Sequence, residues 1–183
     1  MYKIIALCGE AGSGKDTFMR EVLKLRPDLH EIVSCTTRPM REGEQEGVNY
    51  FYYTPNEFLD KIVAGDMFEY TKFNNWYYGT GVDSLSETAI NIGVFNPTGI
   101  KTLLSKDNVN VLPVYIYRPA KLRLMGQLTR EENPDVSEII RRAAADEQDF
   151  KCLSFDYELI ENEIYDDLVM GPQRIVALLD EFK

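Results

Sequence analysis

"ALCGEAGSGKDTFMREVL", residues 6–23, runs from an apolar segment through a glycine-rich turn ending in lysine into a stretch of helical spacing. The apolar segment begins earlier, as "YKIIALCG" from Tyr2 to Gly9, and is continuous until glycine stops it, the pattern of a strand buried on both faces. Lys15 to Leu25 places Phe18, Val22 and Leu25 at helical intervals, and Pro27 marks the end. Between them, Gly9 to Lys15 ("GEAGSGK") fits G-x-x-x-x-G-K in the strand-to-helix context that gives this motif its meaning. Its glycines let successive backbone N–H groups turn toward one phosphate group, and the helix start adds a favourable dipole. Lys15 adds a point charge for the outer phosphates. Glu10, Ala11, Gly12, Ser13, Gly14, Lys15, Asp16 and Thr17 are therefore expected to hold a nucleoside triphosphate. Asp16 is out of place there, an acid beside a polyanion.

Further along, "EIVSCTT" reads as a second strand and "RPMREGEQEGVNYFYY" as a polar loop running into aromatics. "TPNEFLDKIVAGD" is a helix with Thr54 as N-cap, Pro55 at the first position and Glu57 completing a capping box. "MFEYTKF" and "WYYGT", joined by "NN", form a hairpin. A short helix is expected at Ser84–Thr88, then the strand "AINIGVFN", the helix "PTGIKTLLS" and the strand "VNVLPVYIYRP". Helices around Ala120–Arg130 and Val136–Phe150 flank "EENPD"; "YELIEN" is the last strand and "GPQRIVALLDEF" the closing helix. Strands alternating with helices imply an α/β fold, a parallel five-stranded sheet with helices on both faces. Two stretches break the alternation. An inserted lobe is expected over residues 34–80 and a lid over about 126–141, with 1–33 and 81–183 making the core.

At 183 residues, 44% hydrophobic and 27% charged, the chain has the composition of an ordinary globular domain. The opening apolar run has no cleavage site after it, and no stretch approaches the ~20 apolar residues of a membrane span. Cys8, Cys35 and Cys152 lack metal-ligand spacing and read as buried thiols of a reducing, cytoplasmic setting. The net charge of −10 arises entirely after residue 130, where 15 acids face 5 bases. That distribution argues against a nucleic-acid partner, and an anionic substrate has to be met by local arginines.

"TTRPMREGEQEGVNYFY" sets Arg38 and Arg41 on one loop with Tyr50 following, two guanidinium forks and a phenol suited to a phosphate monoester. Thr37, Arg38, Arg41, Glu44, Gly47, Tyr50 and Tyr52 together resemble the signature of guanylate kinases. The resemblance continues through Glu69 and "YYGT" (Tyr77–Thr80), and more loosely through "NPTG", the lid and "LIEN". It implies a phosphate-loop nucleoside monophosphate kinase fold and transfer of the γ-phosphoryl of MgATP to GMP; no residue here clearly demands a 2′-hydroxyl, so dGMP is expected to be accepted too. It also implies that Arg38, Arg41, Tyr50 and Tyr78 hold the GMP phosphate, while Ser34, Glu69 and Thr80 read the guanine. A carboxylate such as Glu69 can accept from guanine N1–H and its 2-amino group together, which adenine cannot offer. Lys15, Arg38, Arg130 and Arg142 are the expected charge stabilisers, with Arg141 the alternative to Arg142. Protein partners are left open.

The segment "GVFNPTG" departs from the family pattern. An aspartate near Mg²⁺ and the phosphates is replaced by Val94, and a second one, beside the guanine pocket, by Asn96. Asp16 is then expected to supply the carboxylate oxygen for Mg²⁺ that Val94 cannot; at a helix start it is also favoured by the dipole alone. Two rivals stay in view. Glu69 and Ser34 argue against a deoxynucleoside monophosphate kinase of different base preference, and the intact phosphate loop argues against a guanylate kinase-like peptide-binding module.

Overall fold

The apolar run of the first strand, β1 (Tyr2–Cys8), is buried from Ile4 to Cys8, and it occupies the middle of a five-stranded parallel sheet. The computed structural model describes residues 1–41, 43–73, 75–130, 132–151, 153–162 and 167–182. The sheet order is β2 (His30–Glu31), β7 (Asn91–Val94), β1, β8 (Val109–Tyr117) and β9 (Glu158–Glu161). The helices are α1 (Lys15–Leu25), α2 (Pro55–Ala64), α3 (Pro97–Leu104), α4 (Ala120–Leu128), α5 (Val136–Phe150) and α6 (Asp167–Glu181). The expected α/β fold, a parallel five-stranded sheet flanked by helices, is what the chain adopts. A second, four-stranded sheet has the order β4 (Phe51–Tyr52), β3 (Cys35–Thr36), β6 (Trp76–Gly81) and β5 (Met67–Phe73). No helix among the described residues is long and apolar enough to cross a membrane.

Two compact units are distinguished, residues 1–5 with 28–111 and residues 6–27 with 112–183. In the first, α2 has the local signals that its sequence advertises. Thr54 accepts the Glu57 N–H, Glu57 reaches back to the Thr54 N–H, and Pro55 opens the helix. β5 and β6 pair antiparallel, with Asn75 in the left-handed region at the turn (φ 68°) and Asn74 outside the described residues.

Three expectations are corrected here. "EIVSCTT" is not one strand: His30–Glu31 pairs with β7 in the large sheet, while Cys35–Thr36 joins the small one. The helix expected at Ser84–Thr88 is a single 3₁₀ turn, Val82–Ser84. Beyond it the Asn91 side chain accepts the Ser86 N–H and donates to the Ser86 and Lys3 carbonyls, claiming groups that a helix would use. In the second unit, α6 starts before "GP" rather than at it, with Pro172 inside the helix. A Cβ on Gly171 would land on the ring of Phe18, a fully buried residue of α1. Glycine at that point lets the two helices meet, and the helix continues through the proline at the cost of one backbone bond.

Candidate active site

The phosphate loop belongs to the second unit. Gly12 (φ 81°) and Gly14 (φ 95°, the N-cap of α1) both adopt the left-handed backbone open to glycine. A Cβ at Gly14 would stand 2.6 Å from Asn162 Nδ2, so side-chain contacts reinforce the requirement. The Ser13 N–H turns back to the Glu10 carbonyl at 3.0 Å, and Lys15 Nζ reaches the same carbonyl at 3.5 Å. Ser13 Oγ is fully buried and has no hydrogen-bond partner among the described residues. Asp16 is exposed in the first turn of α1, where the helix dipole favours an acid.

Several side-chain contacts around this loop have no signal in the sequence. Glu10, 7% exposed, accepts from the Tyr115 hydroxyl at 3.0 Å and pairs with Arg123 at 3.4 Å. Burial, and then the Glu10 charge, raise the Tyr115 hydroxyl above its ordinary range. Asp146 accepts the Ala11 N–H at 2.6 Å. Arg118, Gln127 and Asn162 donate to loop carbonyls. Of these, Glu10 belongs to the loop motif itself, Gln127 to the expected lid and Asn162 to "LIEN", whereas Tyr115, Arg118, Arg123 and Asp146 carry no such signal in the sequence. Arg130 is exposed just beyond α4. Arg142 and Arg141 both bond Glu138 on their own helix, each at 2.7 Å.

In the first unit the loop after β3 gathers charge and aromatic rings. Arg38, 6% exposed, gives two parallel hydrogen bonds to Glu44, at 2.8 and 3.0 Å. Its guanidinium carbon lies 5.4 Å from the centre of the Tyr50 ring and 5.8 Å from that of Tyr52. Glu44 also takes the Arg41 N–H and the Tyr52 hydroxyl, each at 2.8 Å. Burial disfavours the Glu44 charge, but Arg38 and these donors outweigh it and hold its carboxyl at about 2. Tyr50 and Tyr78 meet edge to face with ring centres 6.3 Å apart. Burial raises the Tyr78 hydroxyl, while the charges of Arg38 and Arg41 oppose the rise, so both cations act at this phenol. Arg38, Tyr50 and Tyr78 are therefore gathered together, with Glu44 orienting Arg38 and the charge of Arg41 felt at Tyr78.

Glu69 faces Thr80 across the β5–β6 pair, and the Thr80 hydroxyl donates to Glu69 Oε1 at 2.9 Å. It is 5% exposed, and burial pushes its carboxyl up to about 7. Thr71, two residues along β5 and so on the same face, accepts from Asn96 Nδ2 at 2.7 Å. Asn96 Oδ1 meanwhile caps α3 through the Gly99 N–H. A Cβ on Gly99 would stand 3.2 Å from Glu69 Oε2, so glycine leaves room beside the carboxylate. Ser34 lies immediately before β3, where its carbonyl accepts the Phe51 N–H.

Residues 1–176 match the family model described as guanylate kinase. Guanylate kinases of Gloeobacter violaceus and Thermotoga maritima are each 30% identical to this chain, over 166 and 172 residues. Those alignments cover 88% and 91% of this chain, and 81% and 82% of the two relatives. The crystal structure of guanylate kinase from Anaplasma phagocytophilum is similar in fold, with a TM-score of 0.70 at 21% identity. That match covers 98% of this chain and 85% of the other.

Proposed function

The chain belongs to the guanylate kinase family, and from that premise we propose that it transfers the γ-phosphoryl of ATP to GMP, giving ADP and GDP. The observation that carries the reading is Glu69, a carboxylate sunk in the small-sheet unit and partnered by the Thr80 hydroxyl. Such a group accepts from guanine N1–H and the 2-amino group at once, and a base without that edge leaves it buried and short of donors. Thr80 and Ser34 complete the base pocket, with Asn96 held against Thr71 beside it. Arg38, Arg41, Tyr50 and Tyr78 take the GMP phosphate, a role suited by the contacts of Arg38 and Tyr78 with the Tyr50 ring and by the Arg41 charge felt at Tyr78. No residue of this set demands a 2′-hydroxyl, so dGMP is a substrate too.

A phosphate monoester has its second pKa near ~6, so the attacking oxygen is already ionised at neutral pH and needs no general base. The work left is positioning and stabilisation of charge on the phosphoryl in flight. Lys15 and the loop amides take the ATP phosphates. Arg142 serves them by exchanging Glu138 for phosphate oxygen, with Arg130 from the end of α4. Among the described residues no cluster of three or more His, Cys, Asp or Glu could hold a metal by itself. The metal of this reading is Mg²⁺ brought with ATP, which takes one or two carboxylates and otherwise phosphate and water. Asp16, exposed at the start of α1, is the acid we assign to it; when bound, the ion neutralises charge shared between the outer phosphates. The two described thiols, Cys8 and Cys35, are buried and free, in keeping with a cytoplasmic enzyme; Cys152 lies outside the described residues.

A coupled assay with MgATP and each monophosphate tests the function. GMP and dGMP should turn over, with AMP, CMP and UMP slower by about 100-fold or more, the discrimination expected of a buried polar group left unpaired. AMP as the better substrate would overturn the pocket. In the same assay Asp16→Gly should lower kcat and raise the Mg²⁺ concentration for half-maximal rate; an unchanged Mg²⁺ curve would reduce Asp16 to a helix-start residue.

A further inference from the structure

Four side chains from four places in the chain grip the outer rim of the phosphate loop. Gln127, in the last turn of α4, donates to the Ala11 carbonyl at 3.2 Å. Arg118, just after β8, donates to the Gly12 carbonyl at 3.3 Å, and Asn162, just after β9, to the Ser13 carbonyl at 2.6 Å. Asp146 on α5 accepts the Ala11 N–H at 2.6 Å. Three consecutive carbonyls are thereby occupied by side-chain donors, while the N–H groups of Gly12 and Gly14 have no backbone partner among the described residues. Ala11 is held through both of its amide groups. The two residues that hold it stand on the two helices that flank residues 129–135.

Asp146 is 9% exposed and lies one helical turn beyond Arg142, which sets both on one side of α5. A nearly buried acid next to a polyanion site is unfavourable on electrostatic grounds, so a compensating role is required of it. Burial indeed raises its carboxyl, against the opposing pull of the Ala11 N–H, Lys15 and Arg123. What the loop gains is an acceptor for an amide that would otherwise be left inside without one.

We propose that Asp146 is a positioning residue for phosphoryl transfer: together with Gln127 it moors Ala11 between α4 and α5, and so holds the remaining loop amides in register for the triphosphate. The proposal rests on the ATP-using reading above. It assigns the work to the acceptor oxygen rather than to the charge, and this separates two variants. Asp146→Asn keeps an oxygen for the Ala11 N–H and drops the charge; Asp146→Ala drops both.

The full-length protein would be compared with both variants for kcat, for KM of ATP and of GMP, for calorimetric binding of MgATP, and for melting temperature. Asp146→Ala should raise KM and Kd for ATP about tenfold, the scale of one amide donor left without its acceptor, with KM for GMP unchanged. Asp146→Asn should return both ATP constants to within about twofold of wild type, or tighten them, because a like charge beside the polyanion is gone. An Asn variant as impaired as the Ala variant would overturn the proposal, as would equal loss of ATP and GMP binding. Should Asp146→Ala fail to fold, Gln127→Ala releases the other side of Ala11 and must raise KM for ATP; an unchanged value overturns the mooring. Wild-type protein that binds MgATP without phosphorylating GMP would sink the functional reading instead, and the calorimetric arm would still decide the role of Asp146.

Discussion

Burial pushes the Glu69 carboxyl up to about 7, so near neutrality the ligand-free protein holds a mixture of acid and carboxylate. The unfolded chain ionises that group near 4.5, so the folded state binds the proton more tightly. Its contribution to stability is therefore full below about 4.5 and is lost as pH rises through about 7. Guanine binding has the opposite demand, since only the carboxylate accepts both donors of the base edge. Glu69→Gln should accordingly melt higher than wild type at pH 8 and lose the part of the pH dependence of stability that falls between those two values. Its KM for GMP should rise at least tenfold, the order expected when a charged acceptor of two hydrogen bonds is lost. Wild-type KM for GMP should also fall between pH 6 and 8 more steeply than that of the Gln variant, which retains only the titration of GMP itself. Thermal melts and initial rates across that range check all three. A variant that melts lower at pH 8 would show that the charge is welcome where it sits, contrary to the pocket described.

Elements whose signals are local were legible in the sequence. The Thr54–Pro55–Glu57 start of α2, the alternation of β5 and β6, and the strand–turn–helix around Lys15 each announce themselves within a few residues. The apolar run before Thr37 announces extended chain but not which sheet it joins, because that choice is made by distant partners in β7 and β6. Likewise "GP" is a fair stop or start signal by itself, and only the Phe18 ring, a long way off in sequence, makes Gly171 a packing residue inside α6. The candidate site divides in the same way. The arginine–tyrosine signature contains Arg38, Glu44 and Tyr52, whose hydrogen bonds join residues within one loop and strand. Gln127 and Asp146 reach Ala11 from 116 and 135 residues away, and no spacing rule in a single sequence joins them to it. Arg141 and Arg142 are intermediate: helical spacing places both on α5, but their shared partner Glu138 emerges only with side chains in place.

The whole chain carries −10, and its first 130 residues balance, so no long-range field draws in either anionic substrate. Recognition has to be local, and the two candidate clusters answer that need separately. Lys15 and the loop amides lie in the unit of residues 6–27 and 112–183, whereas Arg38, Arg41 and Glu69 lie in the unit of residues 1–5 and 28–111. Each cluster contains its own counter-charges, Glu10 and Asp146 in the one and Glu44 in the other. Two single variants therefore have opposite signatures. Lys15→Ala should remove activity and weaken MgATP binding by about tenfold or more while GMP affinity stays within about twofold, as for loss of one charged contact to phosphate. Arg41→Ala should weaken GMP by a similar factor and leave MgATP binding nearly unchanged, because Arg41 is assigned to the GMP phosphate and its charge is felt at Tyr78 of the same unit. Calorimetric titration of each variant with each nucleotide alone reads the four affinities without relying on turnover. If Arg41→Ala lost both ligands equally with its melting temperature intact, the two substrates could not have the separate cation clusters assigned to them.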